Sequence, residues 1–210
     1  MQGPGLIQRL PKFAANFGKT ALLIIDPFFY DEFSVSVPKL FKAAGMKAYT
    51  VKFPGYIGHK ELNEMIDFVK TLPEVPDTFI GMGGGQTMDI NKAVAATYRK
   101  NWISFPTALT TDAPTFTHSI INNPGAQNEL MFHFKNPDYV VVDTEITIKS
   151  PAWMLASGIG DALATYIEAQ ASSANNNVCN SGLDDYRPTM LGMAAAKLSY
   201  DILLKDGIAA

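Results

Sequence analysis

The chain has 210 residues with 17 basic and 20 acidic side chains, which gives a formal net charge of −3 at pH 7. Proteins that bind nucleic acids present a strongly basic surface, so this balance excludes a general nucleic-acid binder. Hydrophobic residues make up 47% of the chain and charged residues 18%. This composition predicts a globular protein with a sizeable core and excludes a disordered one.

Targeting signals are absent from the sequence pattern. No run of about 18 uncharged apolar residues occurs, and the first residues, MQGPGLIQRLPK, lack the apolar segment of a secretory signal. We therefore expect a cytosolic protein that does not enter a membrane. The single cysteine, Cys179, cannot form an internal disulfide or build a zinc cluster by itself, so it is interpreted as an ordinary core or surface thiol.

The first half of the chain alternates between two kinds of segment. The apolar run TALLIID (residues 20–26) predicts a strand that is buried on both faces of a parallel sheet. Helices are then predicted at residues 37–45, 59–72 and 88–100, and each is followed by a strand, at residues 47–53, 78–82 and 102–106. This alternation predicts right-handed β-α-β units, and hence an α/β fold with a parallel sheet and helices on both faces.

The pattern changes after the fourth predicted strand. An Asn-Asn-Pro-Gly turn at residues 122–125 separates two short β-like runs and predicts a hairpin or flap. Residues 139–143 (YVVVD) predict one more strand. Residues 153–171 and 188–204 are helical segments rich in Ala, Leu and Met, so we expect a domain boundary near Pro151 with an all-helical region after it.

A glycine-rich turn connects the third predicted strand to the third predicted helix. Residues 81–92 read GMGGGQTMDINK. Because Gly83, Gly84 and Gly85 lack β-carbons, backbone amides in this turn can approach a diphosphate, and the following helix offers free N–H groups. The segment matches neither G-x-G-x-x-G nor the P-loop, and a tight turn without any ligand remains the alternative.

A threonine-rich segment, FPTALTTDAP, follows the fourth predicted strand. Ligand sites are expected at the carboxyl ends of parallel strands. Thr107, Thr110 and Thr111 offer short hydroxyl groups there, and Asp112 offers a carboxylate. The alternative is a turn in which these side chains bond only to the local backbone.

Two carboxylates fall inside predicted helices. Asp89 precedes Lys92 by three residues, a spacing that suits an exposed ion pair. Asp161 lies within the apolar segment 153–171, where a carboxylate facing the core needs a partner or a cation. From the residues alone, Asp161 is either a metal ligand or the N-cap of a helix that starts near Gly160.

Taken together, five segments resemble the glycerol dehydrogenase branch of the iron-containing alcohol dehydrogenase family. In chain order they are QGPGLIQRL, GMGGGQTMDINKAVA, FPTALTTDAPTFTHSI, NPDYVVVDTEI and SGIGDALATYIEA. They occur in the order and spacing of the family across nearly the whole chain. Their joint occurrence is much more specific than any one of them.

The resemblance implies a Rossmann-like, NAD-binding domain over residues 1–151 and the start of an all-helical domain over residues 152–210. It also implies a divalent metal, zinc or iron, and a small polyol substrate such as glycerol, oxidised to the ketone by hydride transfer to NAD. Asp112 is expected to contact the substrate, and Asp161 to be the first metal ligand. The expected cofactor-binding residues are Asp26 at the adenosine ribose, Gly83, Gly84, Gly85 and Gln86 at the diphosphate, Asp89 behind them, and Thr107 and Thr110 near the cofactor centre.

The chain departs from the family pattern in two respects. Phe116, His118 and Asn122 stand on the nicotinamide side of the implied site, where the family often has serine, leucine and tyrosine. The two metal-binding histidines of the family would lie beyond Ala210, so the resemblance implies a truncated or split member that does not hold the metal alone.

Three interpretations follow. The chain oxidises a polyol within a homo-oligomer or with a partner that supplies the remaining helical domain. It is instead an inactive nucleotide-binding remnant or assembly subunit. Or it is a structural fragment that folds only with a partner, because its two last helices expose apolar faces.

Overall fold

The structure is a computed structural model and describes residues 1–175, 187–207 and 209. Over these residues the strands are β1 (Gln2–Gly3), β2 (Thr20–Ile25), β3 (Lys47–Lys52), β4 (Thr78–Gly83), β5 (Asn101–Pro106), β6 (His118–Ile121), β7 (Glu129–Phe132), β8 (Tyr139–Val140) and β9 (Val142–Asp143). The helices are α1 (Leu10–Ala14), α2 (Tyr30–Ala43), α3 (His59–Thr71), α4 (Gly85–Thr97), α5 (Thr144–Thr147), α6 (Ala152–Ala174) and α7 (Met190–Asp206). Cys179 lies outside the described residues.

The main sheet is parallel, with strand order β3-β2-β4-β5-β8 in the described part of the chain. Successive side chains of a strand point to opposite faces. Accordingly, Leu22 and Ile24 of β2 pack in one apolar cluster with α3 and α4, whereas Leu23 and Ile25 pack in another with α1 and α2. The predicted α/β fold, a parallel sheet with helices on both faces, is confirmed.

Helix α2 begins at Tyr30, seven residues before its predicted start. Phe33 and Val37 are buried and lie four residues apart, so they extend the apolar stripe of the helix towards its N-terminus. The helix continues through Pro38 even though proline offers no backbone N–H. Gly45 follows the helix as predicted, with a left-handed φ of 71° that suits glycine.

The single strand predicted at residues 139–143 was wrong, because two short strands occupy this segment. β8 pairs with β5 in the main sheet, whereas β9 pairs with β1 in a separate two-stranded sheet. Val141 lies between them and is buried. Since β1 precedes β9 by almost the whole length of the first unit, no local pattern predicts this division. The predicted hairpin is present as the antiparallel pair β6–β7.

The chain divides into two compact units, Met1–Leu109 with Ala113–Ser150, and Thr110–Asp112 with Pro151–Ala210. The described elements of the second unit are the helices α6 and α7, which agree with the predicted helical region. Three residues of the threonine-rich segment group with these helices, which the sequence did not predict. Within the described residues, no helix combines the length and apolar character that crossing a membrane requires.

Candidate functional site

The glycine-rich turn joins β4 to α4, and α4 begins at Gly85, three residues earlier than predicted. Gly84 is the N-cap residue, with an extended backbone and without a side-chain hydrogen bond to the first turn. The first N–H groups of a helix have no partner inside the helix, and the helix dipole is positive at this end. The turn therefore presents backbone donors that suit a phosphate or diphosphate.

Gly83 and Gly84 lack side chains for different reasons. A β-carbon on Gly83 would lie 2.5 Å from Thr87 Oγ1 and 2.8 Å from Asp26 Cβ, so close packing excludes a side chain there. A β-carbon on Gly84 would meet nothing within 4 Å, and its φ of −85° is accessible to any residue. Gly83 is thus required by the fold, whereas the space beside Gly84 is open to a ligand.

Asp26 follows β2 directly and lies against this turn. Its Oδ1 accepts a hydrogen bond from the Phe28 N–H at 3.0 Å, and its Oδ2 accepts a long one from Thr87 Oγ1 at 3.5 Å. These contacts orient the half-buried carboxylate. Since each carboxylate oxygen can accept two hydrogen bonds, Asp26 retains acceptor capacity of the kind that a ribose diol needs.

The threonine-rich segment is divided between the two units. Thr107 is buried, and its N–H donates to the carbonyl of Gly83 at 3.0 Å, so the end of β5 is fixed to the glycine-rich turn. Gln86 lies exposed in the first turn of α4. Thr110 belongs with Asp112 to the second unit. The structure therefore brings Asp26, the glycine-rich turn and Thr107 together within the first unit.

Asp112 and Asp161 are adjacent within the second unit. The N–H of Asp112 donates to Asp161 Oδ2 at 3.2 Å. Asp161 is exposed in the middle of α6, and none of the described residues covers it. The N-cap interpretation near Gly160 was wrong, because α6 already begins at Ala152.

The described donor set does not fit the metal that the resemblance implies. Among residues 1–175, 187–207 and 209, no three His, Cys, Asp or Glu side chains form a group that would hold a metal ion. Zinc sites in proteins usually draw on three or four converging protein ligands. The hydrogen bond from the Asp112 N–H to Asp161 brings these two residues together but does not add a third ligand. The described residues therefore do not form a zinc or iron site by themselves.

The exposed ion pair predicted for Asp89 and Lys92 was wrong in one respect: the pair exists, but it is buried. Lys92 Nζ lies 2.8 Å from Asp89 Oδ1, with 0% of the lysine side chain and 8% of the aspartate side chain exposed. Burial raises the pKa of Asp89, although the neighbouring Lys92 ammonium acts in the opposite direction. Helical spacing predicts that the two side chains meet, but not that a hairpin covers them.

Sequence reasoning missed a polar contact between this hairpin and α4. Ser119 Oγ donates to the Asp89 carbonyl at 2.7 Å, so it accepts from His133 Nε2–H, also at 2.7 Å. Burial lowers the pKa of His133 to about 4, with smaller effects from Lys92 and His118, and the ring is neutral at pH 7. The available signal was the alternation of β6, which places Ser119 on the same face as the buried Ile121.

Comparison with known proteins gives a consistent group of relatives. A family model described as iron-containing alcohol dehydrogenase matches residues 1–144. A glycerol dehydrogenase of Thermotoga maritima is 34% identical over 218 residues, which cover 100% of this chain and 56% of that protein. A glycolaldehyde reductase of Halobacterium salinarum is 33% identical over 214 residues, with coverage of 100% and 56%.

A solved structure is similar over the same extent. The crystal structure of a probable glycerol dehydrogenase from Sinorhizobium meliloti 1021 superimposes with a TM-score of 0.87 at 29% identity, covering 100% of this chain and 56% of that chain. The chain thus spans about half the length of the curated relatives it matches.

Proposed function

Because the chain belongs to the iron-containing alcohol dehydrogenase family, we propose that it binds NAD as part of an enzyme that oxidises glycerol or a similar small polyol to the ketone. The observation that carries this proposal is the uncapped N-terminus of α4 behind Gly84, with open space beside that residue and Asp26 close by. The family uses NAD and a metal. The names of the relatives, a glycerol dehydrogenase and a glycolaldehyde reductase, support a substrate of two or three carbons.

In the proposed complex the first-turn N–H groups of α4 and the glycine-rich turn bind the diphosphate, with Gln86 at the rim. The Asp26 carboxylate accepts hydrogen bonds from the adenosine ribose. Thr107 and Thr110 contact the cofactor near its centre. Asp89 acts behind the turn, where its hydrogen bonds fix α4 to the hairpin.

Bound NAD would supply the hydride acceptor for the carbon that bears the substrate hydroxyl. Asp112 is proposed to bind and orient a substrate hydroxyl. Asp161 is proposed as one ligand of a zinc or iron ion whose other ligands lie outside the described residues. We also propose that the chain forms a homo-oligomer or binds a partner that supplies those ligands. We further propose a cytosolic location.

Calorimetric titration of the chain with NAD and ADP-ribose tests this function. We expect weak but measurable binding of both nucleotides. Gly84→Val should abolish binding, because its branched side chain fills the space beside the turn, and should leave the chain folded, because an added β-carbon there meets nothing within 4 Å. Lack of binding to the wild-type chain at millimolar nucleotide would refute the proposal.

A second candidate is an inactive nucleotide-binding or assembly subunit. It is favoured because Asp161 is the one implied metal ligand among the residues that the structure describes. The two candidates differ in NADH production from glycerol with added zinc. From the described donor set we expect no turnover by this chain alone, because a zinc ion held by one carboxylate is weakly bound. Turnover that survives purification and disappears in Asp161→Ala would favour the enzyme over the inactive subunit.

A further inference from the structure

Lys92 lies about two turns into α4, and its side chain is fully buried. Lysine is almost never fully buried unless it is paired. Its ammonium group contacts Asp89 one turn earlier and donates to two backbone carbonyls, of Ala113 at 2.9 Å and of His118 at 2.5 Å. These two carbonyls stand at the ends of one short segment, which directly follows Asp112.

Asp89, the partner of Lys92 in the ion pair, also connects α4 to the hairpin. Its Oδ2 accepts from the Ile120 N–H at 3.3 Å, and its backbone carbonyl accepts from Ser119 Oγ. An apolar pair of similar size would fill this space without removing two charges from water. A buried ammonium group differs from such a pair in one useful way, because it can fix carbonyl oxygens at defined positions.

We infer that Lys92 is a positioning residue of the proposed site: it fixes the backbone from Ala113 to His118 against the helix that starts at the glycine-rich turn. Asp112 immediately precedes this segment, and Phe116 lies within it. The inference rests on the proposed function and on the resemblance, which places Phe116 on the nicotinamide side of the site. ADP-ribose lacks the nicotinamide ring but keeps the diphosphate and both riboses, so Asp26 and the glycine-rich turn still bind it.

The difference between the two nucleotides gives a test that loss of stability alone would not mimic. We expect Lys92→Met to lower the affinity for NAD about tenfold and that for ADP-ribose by less than about twofold, as measured by calorimetry. Lys70→Met is the matched control, because Lys70 forms an ion pair with Asp67 at the same spacing, 2.7 Å long and exposed on α3. This control should change neither affinity.

A second variant guards against failure of Lys92→Met to fold. The double variant Asp89→Asn/Lys92→Met removes both charges and keeps an oxygen that can accept from the Ile120 N–H. It should show the same selective loss of NAD affinity.

The inference is overturned if a folded variant keeps the wild-type ratio of the two affinities, whether both stay unchanged or both fall by the same factor. It is also overturned if the wild-type chain binds both nucleotides equally well, because the fixed segment then contributes nothing to binding. In each of these cases NAD binding by the wild-type chain still supports the proposed function. Only a wild-type chain that binds neither nucleotide refutes that function as well.

Discussion

The two units differ in how much of their surface they bury. Every residue of β2 and β4 is buried, and α4 is buried continuously from Thr87 to Ala95. In contrast, no described residue of the 23-residue α6 is buried, and Ala196 alone is buried among the described residues of α7. Because apolar burial is the main favourable contribution to folding, the first unit contains the stabilising core of the described chain.

The same contrast separates the parts of the candidate site. Asp26, the glycine-rich turn and Thr107 belong to the buried first unit, whereas Asp112 and Asp161 belong to the exposed second unit. Precise sites are generally built on elements that packing holds rigid. Nucleotide binding should therefore persist under conditions that loosen the second unit, and the predictions below test that asymmetry.

The largest expected effect comes from the buried ion pair of the first unit. Lys92→Met leaves a buried carboxylate without its countercharge, which costs about 3–5 kcal/mol. Lys197 of the second unit also forms an ion pair, with Asp201 at 2.6 Å, but both side chains are about half exposed. Urea unfolding should show a large loss of stability for Lys92→Met and no measurable loss for Lys197→Met. Similar midpoints for the two variants would remove the proposed difference between the units.

A matched pair of leucines tests the core directly. Leu23 of β2 is 0% exposed and Leu198 of α7 is 61% exposed. Leu23→Ala should lower the free energy of unfolding by about 2–5 kcal/mol, because it removes apolar contacts and leaves a cavity. Leu198→Ala should change it by less than about 0.5 kcal/mol. A large effect at Leu198 in the purified chain would mean that the helical unit buries this side chain in solution.

A pH titration sharpens the comparison further, because all three histidines of the chain, His59, His118 and His133, lie in the first unit. Burial lowers the pKa of His133 from 6.5 to about 4 in the folded chain. The unfolded chain therefore binds more protons between these values. The contribution of neutral His133 to the free energy of unfolding is complete above pH 6.5 and is lost as the pH falls towards 4.

The pKa shift of His133 changes the free energy of unfolding by a moderate amount. The full shift corresponds to at most about 3.4 kcal/mol, and partial exposure of the ring reduces this to about 1–2 kcal/mol. The raised pKa of Asp89 acts in the opposite direction, because its proton is bound more tightly in the folded chain. The urea midpoint of the wild-type chain should therefore be lower at pH 5 than at pH 7. This difference should be smaller in His133→Gln. An unchanged difference in the variant would assign the pH dependence to other groups.

The smallest expected effect concerns nucleotide choice within the first unit. The Asp26 carboxylate should repel the 2′-phosphate of NADP, so the chain should prefer NAD. Asp26→Asn should reduce that preference about tenfold, equivalent to about 1.4 kcal/mol. Asp31→Asn, which removes an exposed carboxylate from the first turn of α2, is the control and should preserve the preference. Equal affinity of the wild-type chain for NAD and NADP would contradict the role assigned to Asp26.

Sequence patterns predicted what depends on neighbouring residues. The apolar run that forms β2 and the helical spacing that forms α3 are local properties, and both elements lie within one residue of their predicted ends. The glycine-rich turn was found for the same reason, because missing β-carbons are visible in the sequence. The resemblance then directed attention to Asp26, which lies against that turn.

What depends on distant contacts was not predictable in this way. The ion pair of Lys92 was predicted to be exposed, because the carbonyls that bury it belong to residues 21 and 26 positions further along the chain. For Asp161 the residues left two interpretations, a metal ligand or an N-cap, and only the position of the start of α6 at Ala152 excludes the second. Burial depends on which segments pack against a helix, and helical periodicity alone does not contain that information.

The pairing of β1 with β9 has a consequence for the time course of synthesis. Gln2 and Gly3 pair with Val142 and Asp143, and the Asp143 side chain accepts hydrogen bonds from two N–H groups near the start of the chain. At about 5–20 residues per second, a ribosome adds Asp143 roughly 7–28 s after it adds Gly3. During this interval β1 has no partner strand. β1 is therefore among the last elements of the first unit to reach its final place.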